Sequence, residues 1–150
     1  MLAKSASLYL PGQSAVIIRM GGKAGSGRAS TQKKSSRLVI WHNPRCSKSR
    51  QTLKILRRNK VSVRVRNYLE DSPSVVEIKT VLQLLGVAAS DLLRKKEVAY
   101  RALGLDWPDT PESALIRAMA SHPELIERPV VFSANRAVLG RPPENVRALF

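Results

Sequence analysis

The sequence predicts an α/β domain in which helices flank a mixed sheet and a further helical segment is inserted between the strands. Three observations support this prediction. The first half opens with a strand–helix–strand pattern, whose parallel crossover is expected to be right-handed. The middle of the chain shows only helical periodicity. Near the end, two short apolar runs separated by polar residues indicate a hairpin.

The strand–helix–strand unit opens the predicted domain. Arg37–Trp41 is a short apolar run typical of a buried strand. Ser47–Asn59 places apolar residues among polar ones in the pattern of an amphipathic helix. Val61, Val63 and Val65 then alternate with polar residues, which is the period of a half-buried strand.

Helix signals fill the middle of the chain. Ser74 and Glu77 have the spacing of a capping box, and Gly86 is the residue expected to end that helix. A short turn or helix is expected to begin at Asp91–Arg94. Thr110-Pro111 predicts the N-cap and first residue of another helix.

The last elements are a hairpin and a short helix. Val130–Ser133 and Ala137–Leu139 predict two paired strands, and Pro142–Phe150 predicts a terminal helix. The whole order is strand, helix, strand, several helices, two strands and a helix. That order is the order of a thioredoxin-like domain with a helical insertion.

Composition excludes several classes of protein. The 150 residues, 43% of them apolar, fit one folded domain. Aromatic residues are only 5%, which argues against stacking platforms for single-stranded nucleic acid. A single cysteine excludes an internal disulfide framework, a Cys-x-x-Cys pair and a multi-cysteine zinc site. With only two histidines besides, no metal site is expected. No apolar run approaches the ~20 residues of a membrane-spanning helix.

The charge is strongly positive and unevenly distributed. The net charge is +15, which favours anionic partners such as nucleic acid, acidic lipid or small oxyanions. Residues 1–37 contain seven basic residues and no acidic residue. Residues 1–36 are predicted to be a basic, disordered tail, and 37–150 the folded domain. Without a nucleic-acid-binding motif in the domain, we expect only weak, salt-sensitive association with nucleic acid, no specific nucleic-acid partner and no membrane partner.

The tail has features of a targeting segment. It contains Arg and Ser and lacks acidic residues, as mitochondrial transit peptides do. It shows no clean amphipathic helix, so a solvated tail, or a start codon assigned too far upstream, is the favoured interpretation.

Cys46 is the candidate nucleophile. It lies where the first strand ends and the first helix begins, and unpaired N–H groups and the helix dipole at such a point lower the pKa of a thiol. The same N–H groups bind oxyanions. Arg45, Lys48 and Arg50 add positive charge nearby. The alternative, an inert buried cysteine, is disfavoured by these basic neighbours.

The spacing around Cys46 narrows the chemistry further. A low-molecular-weight phosphatase loop requires Cys-x5-Arg, but the last position is Thr52 here. A thioredoxin-type pair requires a second cysteine where this chain has Ser49. An oxidised or product-loaded Cys46 therefore needs a thiol from another molecule.

These residues resemble a known family. The loop from His42 to Arg50 resembles the active-site loop of the glutaredoxin-linked arsenate reductases, the ArsC family. The resemblance extends over about 38–150 through five further motifs, which are Tyr68-Leu69-Glu70, Leu92-Leu93-Arg94-Lys95, His122-Pro123, Glu127-Arg128-Pro129 and Gly140-Arg141-Pro142-Pro143-Glu144.

The resemblance implies a fold, a reaction and a set of site residues. It implies a thioredoxin-like fold in which Pro129 is the cis-proline. Cys46 would attack arsenate, glutathione would attack the adduct, and glutaredoxin would complete turnover with release of arsenite, without a bound cofactor. Arg94, Arg128 and Arg141 would bind the anion, which suits the paired donors of a guanidinium.

Two further residues have supporting roles in this interpretation. His42 either steadies the thiolate or is a loop histidine with a backbone partner. Ser49 either donates to the thiolate or the bound anion, or caps the helix. A required free thiol favours a cytoplasmic location.

Two other functions remain as alternatives. One is an ArsC-like thiol protein that binds glutathione without acting on arsenate, which the three arginines disfavour. The other is a Spx-like transcription regulator, which is disfavoured because Ser49 removes the Cys-x-x-Cys switch usual in that group.

Overall fold

The sheet has four strands in the order β2, β1, β3, β4 in the computed structural model, which describes residues 37–150. β1 (Leu38–His42) and β2 (Val63–Asn67) run parallel. β3 (Val130–Phe132) is antiparallel to β1, and β4 (Ala137–Leu139) is antiparallel to β3. The predicted mixed sheet and terminal hairpin are both confirmed.

One face of the sheet is covered by α1 (Ser47–Arg58) and by the terminal 3₁₀ helix (Pro143–Leu149). The apolar stripe of α1 faces the sheet, as its amphipathic pattern predicts. This packing buries a small cluster formed by Leu38, Ile40, Leu53, Leu56, Val131 and Val146.

The opposite face is covered by the inserted helices. These are α2 (Val75–Leu85), α3 (Ala89–Leu92), α4 (Val98–Ala102) and α5 (Glu112–Ser121), followed by a 3₁₀ turn (Pro123–Leu125). They bury the larger core, whose fully buried members include Trp41, Tyr68, Ile78, Leu92, Met119 and Ile126. The inserted segment therefore supplies most of the second layer of the domain.

The predicted signals at both ends of α2 are present. The Ser74 hydroxyl accepts from the Glu77 N–H at 3.2 Å, and the Glu77 carboxylate accepts from the Ser74 N–H at 2.8 Å. Gly86 ends the helix in the left-handed region with φ 67°, where a side chain is disfavoured. Local hydrogen bonding thus determines both ends of this helix.

A short ladder closes the inserted segment. The Arg94 N–H donates to the Leu125 carbonyl at 2.7 Å, and the Glu127 N–H donates to the Leu92 carbonyl at 2.8 Å. An antiparallel bridge joins Leu93 to Ile126 between these bonds. The place where the chain leaves for α4 and α5 is therefore next to the place where it returns, just before β3.

Several predicted boundaries differ from the structure. β1 is displaced by one residue and ends at His42, and β2 begins at Val63 rather than Val61. α5 begins at Glu112 with extended Pro111 as its N-cap. The predicted cap, Thr110, instead donates its hydroxyl to the Trp107 carbonyl at 2.9 Å, which holds it in the preceding turn.

Two helices differ from expectation in kind or extent. α3 ends at Leu92 instead of beginning near Asp91, because Leu93 adopts an extended conformation in the bridge to Ile126. The terminal helix is of the 3₁₀ type. α4 was not predicted, and it has no fully buried residue that would give its sequence a clear apolar stripe.

The predicted tail, 1–36, lies outside the described residues. Among the helices of residues 37–150, none is long and apolar enough to cross a membrane.

Candidate active site

The candidate site forms where several strand ends meet. The C-terminal end of β1 is adjacent to the start of β3, because Trp41 pairs with Val130. Val130 also pairs with Leu139, so β4 ends at the same edge. Arg128 lies just before β3 and Arg141 just after β4, which brings both arginines beside the loop that follows β1. The pairing of strands thus gathers residues that are distant in sequence.

Cys46 is half-buried at the N-cap of α1. Burial by itself would raise the pKa of its thiol. Hydrogen bonds from the backbone N–H groups of Ser49 and Lys48, and the hydrogen bond and charge of Arg128, outweigh burial and lower the pKa below its usual value. A thiol with a lowered pKa is more fully ionised at neutral pH and therefore more reactive.

The direction of this shift agrees with the sequence-based expectation, and one of its two expected sources differs. Backbone N–H donors at the start of α1 were expected and contribute. The charge comes from Arg128, which is far away in sequence, rather than from the expected side chains of Arg45, Lys48 and Arg50. Arg50 donates instead to the Pro44 carbonyl at 2.9 Å and thereby holds the loop.

His42 and Ser49 form a buried hydrogen-bonded pair behind the loop. The Ser49 hydroxyl lies 2.7 Å from His42 Nδ1 and accepts from the Asn43 N–H at 3.0 Å. Burial, with the charges of Arg57 and Arg50, lowers the pKa of His42, which favours its neutral form. The Ser49 hydroxyl thus bonds within the loop instead of capping α1, and His42 Nδ1 bonds to a side chain instead of to the backbone. Their expected roles toward the thiolate or a bound anion stay predictions.

Tyr68 is a site residue that sequence reasoning noted only as part of a motif. It follows β2 directly, its side chain is fully buried, and Arg128 Nη1 donates to its hydroxyl at 3.4 Å. Burial raises the pKa of Tyr68 although Arg128 and Arg94 act in the opposite direction, so the phenol stays protonated at neutral pH. Arg128 therefore lies between a buried phenol and the Cys46 thiol.

The other two arginines have carboxylate partners. Arg94 pairs with Glu97, three residues further along the chain. Arg141 Nε lies 3.4 Å from a Glu127 carboxylate oxygen and donates to the Arg128 carbonyl at 2.8 Å. Both arginines line one cavity of about 490 Å³, together with Leu93, Lys95, Lys96 and Glu127. Arg128 and Cys46 do not line this cavity, and Arg128 is joined to it through the hydrogen bond from Arg141 to its carbonyl.

Tight packing connects the hairpin to α1. The Arg128–Pro129 peptide bond is cis, as the resemblance implied, and Arg141–Pro142 is cis as well. A Cβ placed on Gly140 would lie 2.6 Å from both Pro129 Cγ and Thr52 Oγ1. Glycine is therefore the residue that allows the turn after β4 to approach the helix that carries the nucleophile.

A search for known families finds a match over nearly all of this domain. Residues 41–149 match the ArsC family. The chain belongs to the ArsC family. The family and the thioredoxin-like fold predicted from the sequence are therefore confirmed.

Named relatives of this ArsC chain include arsenate reductases. An arsenate reductase from Neisseria meningitidis is 44% identical over 113 residues, which are 75% of this chain and 97% of the relative. Another, from Haemophilus influenzae, is 38% identical over 110 residues, or 73% and 95%. A solved arsenate reductase from Vibrio cholerae superposes with a TM-score of 0.74 at 45% identity, covering 77% of this chain and 98% of that one.

Proposed function

We propose that this protein reduces arsenate to arsenite with Cys46 as the nucleophile. The observation that carries the proposal is the position of Cys46, half-buried at the N-cap of α1 and at the sheet edge where Arg128 precedes β3. Backbone N–H groups and the charge of Arg128 lower the pKa of the thiol there. Named arsenate reductases among the relatives support an oxidoreductase role.

The reaction begins with attack of the Cys46 thiolate on arsenic(V). A sulfur–arsenic bond forms and one arsenate oxygen leaves as water. In this proposal Arg128, Arg94 and Arg141 bind the remaining oxygens, because guanidinium groups bind oxyanions through paired, charge-assisted hydrogen bonds. Backbone donors at the start of α1 add to this binding.

Reduction requires two thiols from outside this chain. Among residues 37–150, Cys46 is the one cysteine, so no second thiol of the domain can complete the reaction. We propose that glutathione attacks the adduct and that glutaredoxin completes turnover.

Glutathione displaces a second arsenic-bound oxygen as water, and the glutaredoxin thiolate then attacks the glutathione sulfur. The electron pair of that sulfur–arsenic bond stays on arsenic, which becomes arsenic(III), and glutathione and glutaredoxin leave as one disulfide. Water then hydrolyses the bond between Cys46 and arsenic, which releases arsenite and restores the thiol. Because the reaction needs free thiols, we place it in the reducing cytoplasm.

The test is arsenate-dependent oxidation of NADPH in the presence of glutathione, glutaredoxin and glutathione reductase. We expect turnover by the wild type and none by Cys46→Ser. Arg58→Met, which changes an exposed charge at the far end of α1, is the matched control and should retain activity. The proposal is wrong if the folded wild type shows no turnover while Cys46 still forms a mixed disulfide with glutathione. That outcome would instead identify a glutathione-linked thiol protein of the same fold.

A further inference from the structure

Two of the three arginines have a carboxylate of this chain beside them. Glu97 pairs with Arg94, and Glu127 lies against Arg141. Arg128 instead donates from Nη1 to the Tyr68 hydroxyl at 3.4 Å, and its buried Nε has no hydrogen-bond partner among residues 37–150. A carboxylate and an arsenate-like oxyanion use the same N–H donors of a guanidinium. An anion that binds Arg94 must therefore displace Glu97 or share the donors with it.

Glu97 is free to move away from Arg94. It is the N-cap residue of α4, but its side chain makes no capping hydrogen bond, so moving it leaves the helix intact. Its side chain is 29% exposed and reaches solvent. Glu127 competes less directly, because it makes no hydrogen bond to Arg141, whose Nε donates to the Arg128 carbonyl at 2.8 Å.

We propose that Glu97 is a competitive internal anion that sets the affinity threshold of the oxyanion site. The proposal rests on the proposed function only in taking the arginine cluster as an oxyanion site. When Glu97 is bound to Arg94, every incoming anion loses the same factor of affinity. Abundant anions that bind weakly then fill only a small fraction of the sites, whereas a tetrahedral oxyanion that also binds Arg128 and Arg141 still displaces the carboxylate of Glu97.

The test measures the binding of inorganic phosphate and of arsenate by calorimetry, with the full chain and without any thiol. Glu97→Gln keeps the size of the side chain and removes the competing charge. We expect both anions to bind about three- to fivefold more tightly, the range for a partly exposed ion pair. A gain of affinity is a strong readout, because damage to the fold would weaken binding.

Two controls separate the contact from the general field of the charge. Glu124→Gln removes the same charge from a residue that pairs with His122, 3.3 Å away, and should leave affinity unchanged. In an Arg94→Met background, Glu97→Gln should have no effect. An equal gain in that background, or no gain in the Arg94 protein, would overturn the proposal.

These outcomes are distinguishable from failure of the proposed reaction. Absence of arsenate turnover with a clear Glu97-dependent gain in phosphate affinity would refute the reductase but keep the internal competitor. Turnover without any gain from Glu97→Gln would do the reverse. A wild type that binds neither anion would overturn the competitor directly.

Discussion

Replacement of Ser49 by alanine tests the buried hydrogen bonds that hold the active-site loop. The Ser49 hydroxyl serves two groups, the Asn43 N–H at 3.0 Å and His42 Nδ1 at 2.7 Å. Alanine removes the hydroxyl that both groups share and adds no bulk. Asn43 and His42 are only 4% and 9% exposed, so water cannot readily replace the lost hydroxyl.

The expected loss follows from these two unpaired groups. Leaving a buried donor or acceptor without a partner costs about 1–3 kcal/mol for each group. Some relaxation of the loop reduces the sum, so we expect Ser49→Ala to lower the free energy of unfolding by about 2–4 kcal/mol. That is a large share of the roughly 5–15 kcal/mol typical of a whole domain.

The assay is equilibrium unfolding in urea at pH 7, with Ser47→Ala as the control. Ser47 is an exposed residue of the same helix, and its replacement should change the free energy of unfolding by less than about 0.5 kcal/mol. If Ser49→Ala also stays within that margin, the hydroxyl does not hold the loop and the reasoning is refuted.

Three other perturbations have defined outcomes. Arg128→Met should raise the pKa of Cys46, so the rate at which iodoacetamide alkylates this thiol at pH 7 should fall several-fold. Arg45→Met is the control and should leave that rate unchanged. An equal decrease in both variants would contradict the conclusion that Arg128 stabilises the thiolate. Because the pKa of His42 is lowered in the folded state, its contribution to stability is lost as the pH falls below about 6.5. Between pH 7 and pH 5, the free energy of unfolding in urea should therefore fall less for His42→Asn than for the wild type. Equal decreases would refute this expectation. Gly140→Ala should cost about 1–3 kcal/mol in the same assay because its Cβ has no room, and an unchanged midpoint would show that the turn relaxes.

Local signals were sufficient to predict much of the fold. The capping box at Ser74, the stop at Gly86 and the amphipathic stripe of α1 are determined by residues within a few positions of one another. The parallel pairing of β1 with β2 followed from a strand–helix–strand pattern that leaves few other arrangements. These are the features that propensity and periodicity describe well.

The details of the site were beyond such signals because they depend on distant residues. Arg128 stabilises the Cys46 thiolate, and it contacts Tyr68 across 60 positions of sequence. The charges adjacent in sequence indicate Arg45, Lys48 and Arg50 instead. The partner of Ser49 was missed for a similar reason, since its hydroxyl points toward β1 and not toward the end of its own helix.

The ladder at the base of the inserted segment makes the spacing of Arg94 and Arg128 independent of the surface that α4 and α5 present. Because the chain departs at Arg94 and returns at Glu127 through one small ladder, the positions of Arg94 and Arg128 are determined at its base. The segment between Arg94 and Leu125 can become longer or shorter, or change its surface, without altering the distance between Arg94 and Arg128. Substitutions in α4 and α5 can therefore change that surface while the spacing of Arg94 and Arg128 is kept, and a chimera carrying another α4–α5 segment on the same base should keep that spacing but lose the contact of Glu97 with Arg94.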